Sequence, residues 1–146
     1  MKYLIWITNP DILLVQETKM EEHALLLLSK SFWKKGEALV VSSRGASGGL
    51  RNLWDSSKFD LIRSTNTIHW ILTKLLQKYT GNKVSLFNIY VPVQFSEIIF
   101  FWDQIKDYLT SHSLYNLILD RDMNITLSDA KKRGGTPVRD PSREWV

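Results

Sequence analysis

Short apolar runs, each closed by turn-forming residues, recur along this chain and set its class before any single residue is weighed. Ile12 to Val15 follows Pro10-Asp11 without a polar interruption, and Ala38 to Val41 and Leu50 to Trp54 come next. Phe59 to Arg63, Ile68 to Leu76, Val84 to Tyr90 and Tyr115 to Leu119 complete the series. Runs this short are strands rather than helices, and the first and last of them read as buried. Two segments have helical character. Glu21 to Ser31 carries a Leu-rich face. In Ser96 to Leu109, Ile98, Phe101, Trp102, Ile105, Tyr108 and Leu109 recur at three- and four-residue spacing and form one stripe. Ser96 is the expected N-cap, with Ile99 standing where a capping box would need an acid or amide. The interval Ser42 to Gly49 has the composition of a tight turn with backbone positions suited to Gly. Strands in this number with two helices predict a layered, strand-rich α+β domain and argue against an all-helical one.

At 146 residues the chain is long enough for one cored domain, and it shows no internal repeat or low-complexity linker. It contains no Cys, which excludes a disulfide partner and thiolate metal sites. No apolar run approaches bilayer length, and Asn9-Pro10 breaks the short run at the start, so neither a membrane span nor a signal peptide is expected. The expectation is an intracellular protein of cytoplasm or nucleus with no membrane partner. A formal charge of +4 permits attraction to polyphosphate. Much of the excess lies in Lys131, Lys132, Arg133, Arg139 and Arg143, which fit either a solvated mixed-charge tail or a phosphate-contacting loop. Six Trp, six Phe and five Tyr suit either an aromatic core or a nucleic-acid-facing surface.

Three polar clusters stand where these strands end. Gln16-Glu17-Thr18 follows the first run, and a carboxylate held at a strand end suits a hard cation such as Mg²⁺. A solvated Glu opening a loop would look the same. Asn88-Ile89-Tyr90-Val91-Pro92 closes the Val84 strand, and a phenol beside amides can hydrogen-bond phosphate oxygens. Packing followed by a turn is the plainer reading. Asp120-Arg121-Asp122-Met123-Asn124 follows the Tyr115 strand; Asp122 and Asn124, two apart, project to one side of extended backbone. A carboxylate that orients water beside an amide suits metal-assisted phosphodiester hydrolysis, although an Asp-rich turn has the same composition. His23, His69 and His112 have no partner at metal-ligand spacing and read as structural. Neither a Gly-x-Ser-x-Gly elbow nor a Gly-Lys-Ser/Thr phosphate loop is present.

Taken in order, these segments resemble the endonuclease/exonuclease/phosphatase superfamily, and within it the domain carried by plant LINE-type non-LTR retrotransposons. Gln16-Glu17-Thr18 is similar to the Gln-Glu-Thr motif, Ser47-Gly48-Gly49-Leu50 with Trp54 to the Ser-Gly-Gly segment, and Asn88 to Pro92 to Asn-x-Tyr-Gly-Pro. Phe101-Trp102 resembles the Phe-Trp of the helix that follows, Asp122-x-Asn124 the Gly-Asp-x-Asn motif, and Lys132 to Gly135 with Arg139 to Pro141 the loop after it. The likeness runs from about Leu4 to Val146. It implies a two-sheet β-sandwich flanked by helices, deoxyribonuclease I-like and four-layered, with the site on loops at one end. It also implies roles: Glu17 binds Mg²⁺, for which Mn²⁺ can substitute, Asp122 positions the attacking water, Asn124 supports the phosphate and orients Asp122, and Tyr90 contacts the scissile phosphate. Asn88 is the candidate substrate-binding amide, and DNA is the implied partner.

Departures from the family pattern temper that expectation. Met1 to Asn9 looks like the end of a helix, where the family has first an Asn-bearing strand. No Ser-Asp-His segment follows Asp122, Asp120-Arg121 replaces Gly-Gly, and Val91 replaces a Gly. Residues 1–146 therefore read as a partial domain, an incomplete sandwich truncated at both ends, degenerate or inactive by itself and monomeric or prone to aggregate. Arg51 and Asn52 interrupt a strand that is normally apolar; facing the core without partners, either would cost about 1–3 kcal/mol. A non-catalytic nucleic-acid-binding remnant and a phosphatase or deadenylase on the same fold are the alternatives.

Overall fold

The computed structural model describes residues 2–19, 23, 24, 27, 33, 34, 36–44 and 47–122. The expected Glu21 to Ser31 helix falls largely outside the described residues; His23, Ala24 and Leu27 within it are helical. Asn124 and the basic tail also lie outside them. The described residues divide into two compact units, one within residues 1–90 and 113–122, the other within 91–112.

The first unit opens with α1 (Lys2–Thr8), in keeping with the helix-end look of that segment. Asn9, at φ +43°, donates its N–H to the Ile5 carbonyl and closes the helix in the left-handed turn that Asn tolerates, with Pro10 preventing continuation. Three strands follow as one antiparallel sheet: β1 (Ile12–Val15), β2 (Gly36–Arg44) and β3 (Ser47–Asp55), in the order β1-β3-β2. Most of the interval read as a tight turn is strand, because Ser43 pairs Gly48 and Arg44 pairs Ser47 across the β2–β3 ladder. The second sheet runs β4-β5-β6-β7, from Phe59–Asn66, Trp70–Gln77, Lys83–Tyr90 and Leu117–Asp122. β4, β5 and β6 are antiparallel neighbours, whereas β7 lies parallel to β6 after a helical connection.

Alternation decides which side chains meet between the sheets. Val41 and Leu50 of the first sheet cluster with Ile71 and Tyr90 of the second. Trp54 clusters with Phe59, Leu75 and Leu86, and Ile12, Leu14 and Val84 pack around them. These two clusters are the core of a two-sheet sandwich. Trp70 and Phe87, on the opposite face of the second sheet, are buried as well and meet edge to face at 5.3 Å. Three of the six Trp, Trp33, Trp54 and Trp70, are thus buried residues, while Trp6 on α1 is exposed.

Two strand expectations change. Ile12 to Val15 is half-buried, since among the described residues β1 is an edge strand with β3 as its one neighbour. The last strand is Leu117–Asp122 rather than Tyr115 to Leu119, and Leu117, Ile118 and Leu119 are exposed. Among the described residues β7 has β6 alone beside it, so one ladder and much of its surface stay open.

In the second unit, α2 (Phe95–Ser111) buries Phe101 and Ile105 and half-buries Ile98, Trp102, Tyr108 and Leu109, the stripe set by the spacing. Its N-cap is Gln94, not Ser96, and no side chain caps it; the Glu97 N–H reaches the Gln94 carbonyl. At the other end the His112 ring stacks on Tyr108 at 4.0 Å, and its Nδ1 lies 3.0 Å from the Tyr108 carbonyl. No described helix is long and apolar enough to cross a membrane.

Candidate functional site

β1 and β6 end at the same edge of the sandwich, and the chemistry-bearing residues gather there. Val15 closes β1 opposite Arg51 of β3. Past it the chain turns through Glu17 at φ +49° and Lys19 at φ +51°, a backbone region that costs a non-Gly residue about 1–2 kcal/mol. Two hydrogen bonds hold this turn, from Thr18 N–H to the Gly49 carbonyl and from Lys19 N–H to the Gly48 carbonyl, each 3.2 Å. Gly48 and Gly49 are themselves at φ +79° and +88°. A Cβ at Gly49 would strike the Thr18 hydroxyl, so only the bare backbone lets the turn come this close. The Ser-Gly-Gly segment therefore serves the Glu17 turn from the neighbouring strand.

Within that turn the Tyr90 hydroxyl donates to Glu17 Oε1 at 3.3 Å, bringing together two predicted site residues 73 positions apart. The Tyr90 ring is buried in the inter-sheet core, so its hydroxyl is aimed from a fixed body. Asp122 is the register partner of Tyr90 on β7, and Asp120 that of Asn88. Register partners project to one face, which puts the Asp122 carboxyl beside Tyr90 on the side facing the first sheet. The two aspartates lie within the strand rather than on a loop after it.

Asn88, expected at the substrate, is completely buried. Its Nδ2 lies 2.9 Å from Asn52 Oδ1, 3.1 Å from the Arg51 carbonyl and 3.2 Å from the Val15 carbonyl. Its Oδ1 accepts a 2.9 Å bond from Gln16 Nε2, which also lies 3.1 Å from the Ile89 carbonyl. The Asn88 amide thus spans the sandwich and clamps the final β1–β3 pair just before Glu17. Asn52, one of the two polar interruptions of β3, donates in turn to Thr73 Oγ1 at 3.0 Å. It faces the core with its partners in place, which removes the cost expected of an unpaired amide. Arg51 projects to the opposite face of β3, where burial pushes its guanidinium below the ordinary arginine value. Composition alone could not reveal the Gln16–Asn88–Asn52–Thr73 chain, because its members come from four different strands or strand ends.

The donor chemistry at Glu17 fits a hard cation: one carboxylate oxygen meets a neutral phenol, and Mg²⁺ takes one or two protein carboxylates with water and phosphate for the rest. Among the described residues no group of three or more His, Asp or Glu could by itself hold a metal ion.

No family model matches the sequence, and no curated protein matches it. Solved structures do match. The human Nocturnin catalytic domain with bound sulfate is 16% identical with a TM-score of 0.61, over 87% of this chain and 56% of that one. An endonuclease/exonuclease/phosphatase family protein from Bacteroides thetaiotaomicron is 15% identical with a TM-score of 0.62, over 85% of this chain and 52% of that one. TDP2 from D. rerio, complexed with a single-strand DNA product, is 14% identical with a TM-score of 0.61, over 85% and 52%. The chain has the deoxyribonuclease I-like fold of these endonuclease/exonuclease/phosphatase structures and spans about half the length of each.

Proposed function

We propose that the chain carries the metal-binding and phosphate-contacting side of a divalent-metal-dependent phosphodiester hydrolase acting on DNA, of the retroelement endonuclease kind. The observation that carries this reading is the Tyr90–Glu17 contact, made between the sheets at the edge where Asp122 also stands. Glu17 would hold Mg²⁺ or Mn²⁺, which when bound supplies positive charge to the phosphate and the leaving oxygen. The Tyr90 hydroxyl has one hydrogen, so it would turn from Glu17 to donate to a phosphate oxygen once that carboxylate holds the metal. Asp122 accepts a hydrogen bond from the attacking water and takes its proton as the water oxygen bonds phosphorus and the P–O ester bond breaks. Asn124 lies outside the described residues, and the family resemblance would give it the support of the phosphate. Asn88 acts behind the site, since a fully buried amide bonded on both its ends holds the β1 end in place and does not reach substrate. The single-strand DNA product seen with TDP2 on the same fold supports a nucleic-acid substrate.

Mn²⁺ binding followed by electron paramagnetic resonance tests the assignment. Glu17→Gln is expected to weaken binding by about 10-fold or more, at least the loss typical of groups that merely orient a metal ligand. Equal affinity in the variant would overturn it. Any Mg²⁺-dependent nicking of supercoiled plasmid should disappear in both Glu17→Gln and Asp122→Asn. Salt-sensitive DNA binding that persists in Asp122→Ala, with no metal effect in any variant, would instead identify a non-catalytic nucleic-acid-binding protein.

A further inference from the structure

The polar chain behind the site is directional. Gln16 donates to Asn88, Asn88 to Asn52 and Asn52 to Thr73, so the two asparagine amides each receive a hydrogen at one end and give one at the other. Turning any one of the three amides over would set NH₂ against NH₂ or oxygen against oxygen, which makes the orientation of each member depend on the next. Asn52, Thr73 and Asn88 are wholly buried, so water does not compete for these bonds. Of the four, only Gln16 adjoins Glu17, whose backbone is held at φ +49°. A strained turn persists where its surroundings over-determine it. Here the restraints are the two bonds from Thr18 and Lys19 to β3, the Tyr90 hydroxyl bond to Glu17 and the Gln16 side-chain bonds to β6.

We propose that Asn52, which lies in β3 and makes its side-chain hydrogen bonds to Asn88 and Thr73 rather than to Glu17, is a positioning residue for the Glu17 carboxylate and acts through Asn88 and Gln16. The inference rests on Glu17 being the metal ligand, as argued above. Its structural half stands independently: the buried chain orders the turn. The Asn52 amide accepts from Asn88 at one atom and donates to Thr73 from another, a reach across both partners that an aliphatic side chain lacks. Leu shares the branching of Asn and Val that of Thr, so Asn52→Leu with Thr73→Val removes both polar partners together rather than leaving one unpaired, at the cost of some added bulk at position 52.

Hydrogen exchange by NMR and Mn²⁺ titration of the 146-residue chain test this together. In Asn52→Leu/Thr73→Val the Thr18 and Lys19 amides should exchange roughly 10-fold faster while the β5–β6 amides keep their protection. Mn²⁺ affinity should fall about 10-fold, the loss typical of removing an outer-shell partner. Thr73→Ser keeps the hydroxyl and should leave both readouts near wild type. Unchanged exchange at Thr18 and Lys19 in a folded double variant would overturn the proposal. So would faster exchange with unaltered Mn²⁺ affinity, since the turn's order would then have no consequence for the ligand. Should the double variant not fold, Gln16→Leu cuts the chain at its half-buried end and decides by the same two measurements. Wild-type protein that fails to bind Mn²⁺ would sink the metal reading of Glu17, whereas the exchange data alone judge whether the chain orders the turn.

Discussion

Gly49 shows how much of the site depends on an atom that is missing. Its φ of +88° and its contact with the Thr18 hydroxyl both exclude a Cβ. Gly49→Ala should therefore cost about 1–3 kcal/mol in urea unfolding. Combining it with Thr18→Ala should recover part of that loss, because the collision goes and the backbone strain remains. Full recovery would show that the collision was the whole effect, and no recovery that the strain was. The Thr18 hydroxyl is buried and has no hydrogen-bond partner, so the second substitution sacrifices no bond of its own. Glu17, Tyr90 and Asp122 could each be picked from the sequence as strand-end polar residues. That Asn88 turns inward could not, because an amide at a strand end has the same composition whether it faces water or the opposite sheet.

Among the elements, the corner between β3 and β4 shows how local chemistry sets a strand end. Asp55 accepts from the Ser57 N–H at 2.9 Å and from its hydroxyl at 2.6 Å, while its own N–H donates to the Asp11 carbonyl at 2.8 Å. Lys58 completes the corner with a 2.6 Å ion pair to Asp11, tying the start of β1 to the start of β4. The hydrogen bond to Asp11 raises the Lys58 ammonium above its ordinary value, with the charges of Asp11 and Asp55 adding to it against partial desolvation. A base raised by folding contributes stability below its unfolded pKa, and the contribution is lost as pH rises through the folded one. The melting temperature should thus keep this increment at neutral pH and lose it above about pH 10.4, the free lysine value. In Asp11→Asn that alkaline decline should flatten; an unchanged decline would show that the pair does not couple to folding. The strand and helix assignments in this part of the chain were readable from apolar runs and turn residues. Their ends were not: β2 and β3 extend into the Ser42 to Gly49 interval because pairing with a neighbour, not local composition, decides where a ladder stops.

At the level of the whole molecule, the second sheet presents apolar side chains at both of its described margins. Leu61 and Ile62 on β4 and Leu117, Ile118 and Leu119 on β7 are each 41–48% exposed. Open ladders with apolar flanks template pairing with further chains. Light scattering of the purified protein should rise steeply with concentration despite the formal charge of +4. Ile118→Lys should lower it while altering stability by no more than about 0.5 kcal/mol, as expected of an exposed position. Scattering indifferent to that change would place the association elsewhere.

Periodicity along the chain was enough to read a layered, strand-rich α+β domain and to nominate Glu17, Tyr90 and Asp122, and the order of the motifs carried the family resemblance that implies a two-sheet sandwich, because strand length, turn chemistry and motif order are properties of neighbours in sequence. The tertiary structure decided the rest. It drew Tyr90 onto Glu17 across 73 positions, turned Asn88 from a presumed substrate contact into an internal clamp, and gave Asn52 the partners that make a polar residue tolerable in a core strand. Each of these depends on which faces of two sheets oppose one another, and that follows from register and packing between strands far apart in the chain.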